Sequence, residues 1–139
     1  KSGKPFSWRL DCHAAARITG PLLWRDMRSG DQVCRPEELG DVILGRKDCA
    51  ASYHIAVVVD DAAQGVTHVS RGEDLFPVTG IHRTLQALLG LPVPQWYHHR
   101  LVKDASGKRL AKRDRSLSLQ EMRAAGMRPE DVFRLMRES

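Results

Sequence analysis

Long apolar runs are missing from this sequence. No stretch approaches the ~20 residues that cross a bilayer, and the first residues lack the continuous apolar segment of a secretory signal, so no membrane partner is expected. Cysteine is scarce and poorly spaced for a scaffold. Cys12, Cys34 and Cys49 form an odd set without a Cys-x-x-Cys pair, which argues against a disulfide framework and against a zinc site built from about four closely spaced ligands. Reduced thiols in a cytoplasmic protein are the expectation. Aromatic residues are only 6% of the chain, and Trp8, Trp24 and Trp96 are too scattered to form a stacking platform for single-stranded nucleic acid. They are expected to pack. There is no internal repeat, no low-complexity tract and no initiator Met, so residue 1 need not be the natural start.

What is present fits one modest core. A chain of 139 residues with 42% hydrophobic and 28% charged composition is too short for two full domains. Its net charge of +5 favours polyanionic partners without naming one. Residues 6–10 alternate apolar with polar side chains and predict a strand, followed by a polar, Arg-rich connection through residue 41 with turns and short strands in 20–40. Val42-Ile43-Leu44 predicts another short strand. Residues 53–64 mix strand propensity at Val57-Val58-Val59 with helical spacing of Ile55, Val58, Val59 and Ala62. Ser52 as a cap, Gly65 as a stop and the adjacent Asp60-Asp61 pair favour a helix. A strand at 66–70, a helix at 78–89 with Ile81, Leu85, Leu88 and Leu89 on one face and its end at Gly90, and a strand at 96–102 follow. Ser118-x-x-Glu121 is a capping box and Pro129 suits a first helical turn, predicting a small helical hairpin at the end. Alternating strands and helices predict an α/β fold with a largely parallel sheet. One domain is expected over 1–115, its connecting strands and loops in 1–41, and the hairpin over 116–139.

Three constellations carry candidate chemistry. Gly107-Lys108-Arg109-Leu110-Ala111-Lys112-Arg113-Asp114 places four cations in one loop, suited to charge building on a departing pyrophosphate, although a solvated basic loop gives the same composition. Tyr53 and Arg71 could together fix a small amino acid with two carboxylates, since Arg offers a bidentate fork and Tyr a hydroxyl; a packing tyrosine and a surface arginine are the ordinary alternative. The acidic set Asp60, Asp61, Glu73 and Asp74 could hold Mg²⁺ or move protons. On a helix, however, Asp60 and Asp61 diverge by about 100°, so only one is expected to face a site. His54, His68, His82, His98 and His99 fit no zinc spacing, and His98 and His99 on a strand point to opposite faces, so ordinary polar roles are expected for them.

The run from Tyr53-His-Ile-Ala-Val-Val-Val-Asp-Asp to Ser70-Arg-Gly-Glu-Asp-Leu75, the helix ending Leu88-Leu-Gly-Leu-Pro92, and Asp104-Ala-Ser-Gly-Lys-Arg-Leu-Ala-Lys-Arg113 resemble the second half of the class I glutamyl-tRNA synthetase catalytic domain. Phe6-Ser-Trp-Arg-Leu-Asp11 and Gly20-Pro-Leu-Leu-Trp-Arg-Asp26 turn the resemblance toward its shorter paralogues, the glutamyl-queuosine tRNA(Asp) synthetases. The resemblance implies the C-terminal half of a Rossmann-like sheet and an ATP-dependent ligase. Such an enzyme converts glutamate to glutamyl-adenylate and passes the acyl group to queuosine in the tRNA(Asp) anticodon. By position it implies glutamate binding at Tyr53 and Arg71, with Asp61 lining the pocket. It implies ATP binding at Arg109, Leu110, Ala111, Lys112 and Arg113, a variant of the Lys-Met-Ser-Lys-Ser signature, with Lys112 catalytic. L-glutamate, Mg-ATP and tRNA(Asp) are the implied partners, zinc is expected only in the upstream part of the family, and a monomer is expected.

Two departures bear on activity. Arg109 and Ala111 replace the first Lys and the Ser of the signature, and no His-x-Gly-His motif occurs in these residues. The chain by itself is therefore expected to supply only part of an active site and to be inactive. A fragment of an ordinary glutamyl-tRNA synthetase and a non-catalytic RNA-binding adaptor derived from the same fold remain the competing readings.

Overall fold

Strand β1 (Trp8–Leu10) runs into Asp11, whose extended backbone and side chain, accepting from the Ala14 N–H at 2.8 Å, start helix α1 (Cys12–Thr19). The polar connection expected there is thus broken by a two-turn helix. Three consecutive alanines with strong helical preference favour it, Arg17 suits its last turn, and Cys12 and Ala15, three residues apart, give α1 a buried side. The structure, a computed structural model, describes residues 6–103 and 118–137.

The remaining elements follow the predicted order with ends shifted by up to three residues. Strands β2 (Leu23–Asp26) and β3 (Gly30–Val33) form a hairpin, and β4 (Val42–Gly45) leads to α2 (Tyr53–Ala63). Ser52 holds the N-cap position of α2 with extended backbone, yet its hydroxyl makes no capping bond. Then come β5 (His68–Gly72), α3 (Thr79–Leu89) and β6 (Gln95–His99). Gly90 ends α3 in the left-handed region at φ 63°, a conformation glycine adopts without a Cβ penalty. In the C-terminal segment, α4 (Leu119–Ala124) opens on the predicted Ser118–Glu121 capping box, with both reciprocal bonds formed, and α5 (Pro129–Arg137) follows it.

The sheet content is mixed. β1 and β4 form an antiparallel pair, while the four-stranded sheet has the order β3-β2-β6-β5. Its β2–β3 pair is antiparallel, and β2 meets β6 in parallel at Asp26 and Trp96. Parallel pairing thus joins strands distant in sequence, and antiparallel pairing follows the local hairpin.

The chain forms two compact units, residues 1–71 with 75–98, and residues 72–74 with 99–139. The domain boundary expected at residue 115 lies outside the described residues. In the first unit α1, α2 and α3 meet over Cys12, Val58, Ile81 and Leu85, with Leu10, Val42, Leu44 and Ile55 packed around them. A second cluster stacks Trp24 edge-on to Trp96 and Phe76, with His98 against Phe76. Trp24 and Trp96 therefore pack as expected, whereas Trp8 is 67% exposed beside Phe6. Within the second unit, Met122 is buried. Among the described residues no helix is long and apolar enough to cross a membrane.

Helix α3 departs from its expected pattern. Ile81 and Leu85 are buried as predicted, but Leu89 is exposed, and Thr79, His82, Thr84 and Gln86 are buried with the apolar residues. An unpaired polar group in the interior is costly, and of these only the Gln86 side-chain oxygen is buried without a hydrogen-bond partner among the described residues. Thr84 is satisfied locally, donating to the Gly80 carbonyl at 2.8 Å. Thr79 and His82 find theirs at the candidate site.

Candidate functional site

Arg71 is the centre of the site. It sits near the carboxyl end of β5, on the strand's inward face, and is only 9% exposed. A guanidinium has five N–H donors and no acceptor, and its partners among the described residues include five acceptors. Nε donates to His98 Nε2 at 3.1 Å, and Nη1 to His82 Nδ1 at 3.0 Å. Nη2 donates to Thr79 Oγ1, and at 3.4 Å to the Leu75 carbonyl. The longest contact, 3.5 Å, runs from Nη1 to the Tyr53 hydroxyl. The last two distances are at the outer limit for a hydrogen bond, so the Tyr53 and Leu75 directions are the loosely held ones.

Because Arg71 only donates, the two rings it touches have fixed proton positions. His98 Nε2 and His82 Nδ1 accept and carry no hydrogen, so each neutral ring is protonated on its other nitrogen. His98 Nδ1–H then donates to Asp26 Oδ2 at 2.7 Å, and His82 Nε2–H to His54 Nδ1 at 3.1 Å. Asp26 is fully buried, and its other oxygen accepts the Arg28 and Ser29 N–H groups at 3.0 and 2.7 Å in the β2–β3 turn. One continuous chain of hydrogen bonds thus runs Asp26–His98–Arg71–His82–His54.

The electrostatics agree with these proton positions. Burial, aided by the neighbouring Arg71 cation and then by His54 and His98, pushes the His82 pKa down to about 3. Burial and Arg71 lower that of His54 in the same way. Burial would raise the Asp26 carboxyl, but bonds from the His98 ring and from the Ser29, Arg28 and His98 backbone outweigh it and hold the group below its ordinary value. Asp61 goes the other way, raised by burial against the opposing pull of Arg71, with Asp60 adding to the rise.

The structure brings together the two residues expected to bind the amino acid. Tyr53 opens α2, half exposed, with its ring edge against His54 and His82. It also lines an open cleft of about 660 Å³, whose walls include Arg9, Val42, Arg46, Ser52 and His54. That volume is in the range of small-ligand sites. Asp61 lies within the electrostatic reach of Arg71, while Asp60 is exposed, in line with the expected divergence of that pair. Among the described residues, no group of three or more His, Cys, Asp or Glu side chains is placed to hold a metal. Arg109, Leu110, Ala111, Lys112 and Arg113 lie outside the described residues.

Sequence reasoning missed His82, His98, Thr79 and Asp26 as parts of this assembly. His98 and His99 do point to opposite faces of β6, one buried and one exposed, so the side was legible and the partner was not. The signal for His82 and Thr79 was faint. His82 directly follows Ile81 and Thr79 precedes it by two positions, both off the apolar stripe of α3, where a polar residue is usually solvated.

Comparison with known proteins gives a consistent neighbourhood. Residues 1–138 match the family described as tRNA synthetases class I (E and Q), catalytic domain. The chain is 53% identical over 132 residues to a glutamyl-Q tRNA(Asp) synthetase of Rhodobacter capsulatus, covering 92% of this chain and 48% of that protein. A glutamyl-Q tRNA(Asp) synthetase of Nocardia farcinica is 50% identical over 99 residues, 71% of this chain and 32% of that one. Among solved structures, a glutamate tRNA ligase from Elizabethkingia meningosepticum in complex with its amino acid superposes with TM-score 0.59 at 31% identity, covering 68% of this chain and 19% of that one. The chain spans about half the length or less of the curated relatives it matches.

Proposed function

This chain belongs to the class I tRNA synthetases for glutamate and glutamine, within their catalytic domain, and from that membership we propose that it forms part of the active site of a glutamyl-queuosine tRNA(Asp) synthetase. The observation that carries the reading is the pairing of Arg71 with Tyr53: a guanidinium nitrogen and a phenol oxygen 3.5 Å apart, with Tyr53 at the wall of a cleft large enough for an amino acid. A substrate carboxylate would exchange that long contact for charge-assisted hydrogen bonds to both groups, which are about twice as strong as neutral ones. Only one of glutamate's two carboxylates is held this way, leaving the α-carboxylate to react.

In the proposed reaction the α-carboxylate oxygen attacks the α-phosphorus of ATP. The bond to the bridging oxygen breaks, and pyrophosphate leaves with its electrons. The acyl group then passes to a hydroxyl of queuosine, releasing AMP. No side-chain nucleophile is needed, so the protein's part is positioning and charge stabilisation. Magnesium would enter with ATP as part of the substrate. In this reading Lys112, with Arg109, Leu110, Ala111 and Arg113, meets the nucleotide, and Asp61 lines the amino-acid pocket. The other half of the nucleotide site would come from the region of the relatives that this chain does not span, so the isolated chain should be inactive. The reading takes the enzyme to be a cytoplasmic monomer.

The test is glutamate-dependent exchange of labelled pyrophosphate into ATP, followed by acyl transfer to queuosine-containing tRNA(Asp) or to tRNA(Glu). The full gene product should catalyse exchange and charge only tRNA(Asp). Charging of tRNA(Glu) would favour an ordinary glutamyl-tRNA synthetase, and RNA binding without exchange would favour an adaptor.

A further inference from the structure

We propose that His82 and the Asp26–His98 pair are positioning residues for glutamate, fixing the plane of the Arg71 guanidinium so that its Tyr53-facing edge meets the substrate carboxylate. The proposal rests on the reading of Arg71 as the glutamate-binding residue and adds how that residue is aimed.

Arg71 is held from two directions by ring nitrogens that can only accept. His98 Nε2 takes the Nε hydrogen at 3.1 Å and His82 Nδ1 takes one Nη1 hydrogen at 3.0 Å. Two fixed acceptors on different nitrogens of a planar group determine its orientation as well as its position. Each acceptor is in turn kept bare by a partner behind it. Asp26 Oδ2 accepts at 2.7 Å from His98 Nδ1 and so holds the hydrogen on the far side of that ring. His54 Nδ1, 3.1 Å from His82 Nε2, does the same for the other. Reversing either ring's proton position would aim an N–H at a guanidinium N–H. Tyr53, the half-exposed partner, has the longest of the named contacts, which leaves that edge as the place where a carboxylate can enter at least cost.

The two rings face Arg71 through different nitrogens, and this permits a crossed test. An Asn amide overlays the δ position of an imidazole and a Gln amide the ε position. Asn at residue 82 and Gln at residue 98 therefore keep an oxygen acceptor toward Arg71, whereas the opposite exchange removes it. Steady-state pyrophosphate exchange should be measured with the full gene product, varying glutamate and ATP separately. The KM for glutamate should rise about tenfold for His82→Gln and for His98→Asn, with the KM for ATP unchanged, and less than about threefold for His82→Asn and His98→Gln. The same ranking of Asn and Gln at both positions, or a parallel rise in both KM values, would overturn the positioning role, because bulk and packing do not distinguish the two nitrogens.

Imidazole ¹⁵N spectra of the unmodified protein give a second reading that needs no variant to fold. They should show the Nδ1–H tautomer at His98 and the Nε2–H tautomer at His82, and the reverse tautomer at either ring overturns the proposal. Arg71→Ala separates the two levels. If it leaves the glutamate KM unchanged, Arg71 is not the glutamate-binding residue. If it raises that KM while the crossed ranking is absent, only the positioning role fails.

Discussion

At the scale of single residues, the site is governed by a mismatch between what Arg71 can offer and what a lysine could. Five donors in a rigid fork meet acceptors on α2, α3, β6 and the turn after β5, a spread no ammonium with three donors on one atom can satisfy. Arg71→Lys is therefore expected to strand at least one buried imidazole acceptor, costing about 1–3 kcal/mol of stability in a urea titration, and to weaken glutamate binding in the exchange assay. Tyr53→Phe should behave differently. The hydroxyl belongs to a half-exposed side chain with one long contact to Arg71, so stability should change by less than about 0.5 kcal/mol while the glutamate KM rises roughly two- to tenfold. An unchanged KM would remove Tyr53 from the site. That Arg71 and Tyr53 are candidates for one site could be read from their types, since an arginine at a strand end and a tyrosine opening a helix suit a dicarboxylate, and the fold places them 3.5 Å apart. The residues that orient them could not be. The contacts His54–His82, Arg71–His98 and His98–Asp26 span 28, 27 and 72 positions of sequence, and no local spacing announces a contact made only by the completed fold.

Secondary-structure elements were read most securely where local chemistry and tertiary packing agree. The Ser118–Glu121 capping box and the left-handed stop at Gly90 formed as their sequences prescribe. Helix α2 formed over its valine run because its spacing buries Val58 in the core beside Ile55, a case of tertiary burial deciding between two propensities. Helix α1 shows the converse. Its cap is a single Asp with no reciprocal Glu three positions on, and an eight-residue helix whose buried side is only Cys12 and Ala15 carries too short an apolar pattern to read from sequence. Such a short helix depends heavily on its cap, since two turns barely repay nucleation. Asp11→Ala should lower stability by about 1 kcal/mol, while Asp11→Ser, which keeps a capping oxygen, should recover most of it. Chemical-denaturation midpoints of the two variants check this, and equal midpoints would show that core burial alone sustains α1.

For the whole molecule, the consequence of building a site from neutral histidines is sensitivity to acid well above the carboxylate range. The chain Asp26–His98–Arg71–His82–His54 ties β2, β6, β5, α3 and α2 together, so a proton forced onto it loosens the sheet and the helices at once. The groups facing His82 are Arg71, His54 and His98, and like burial they all disfavour its charged form, which is why its pKa falls from 6.5 to about 3. The sign follows from proton counting. Between these values the unfolded chain carries a proton on residue 82 that the folded chain does not, so folding stability drops as pH falls from 6.5 toward 3. His54, lowered in the same direction, adds to the slope. Asp26, depressed below the usual carboxylate value, contributes stability that is lost only at still lower pH, as the acid falls through its folded pKa. Urea midpoints collected from pH 7.5 to 4 should therefore decline from about pH 6, each such histidine contributing up to about 1.4 kcal/mol per pH unit once its unfolded form is fully protonated. In His82→Asn, which keeps the acceptor toward Arg71 but has no group titrating in this range, the decline should become shallower by one proton's worth. A slope identical to that of the unmodified protein would mean that His82 is already protonated in the folded state, and the donor-acceptor chain drawn through it would be wrong.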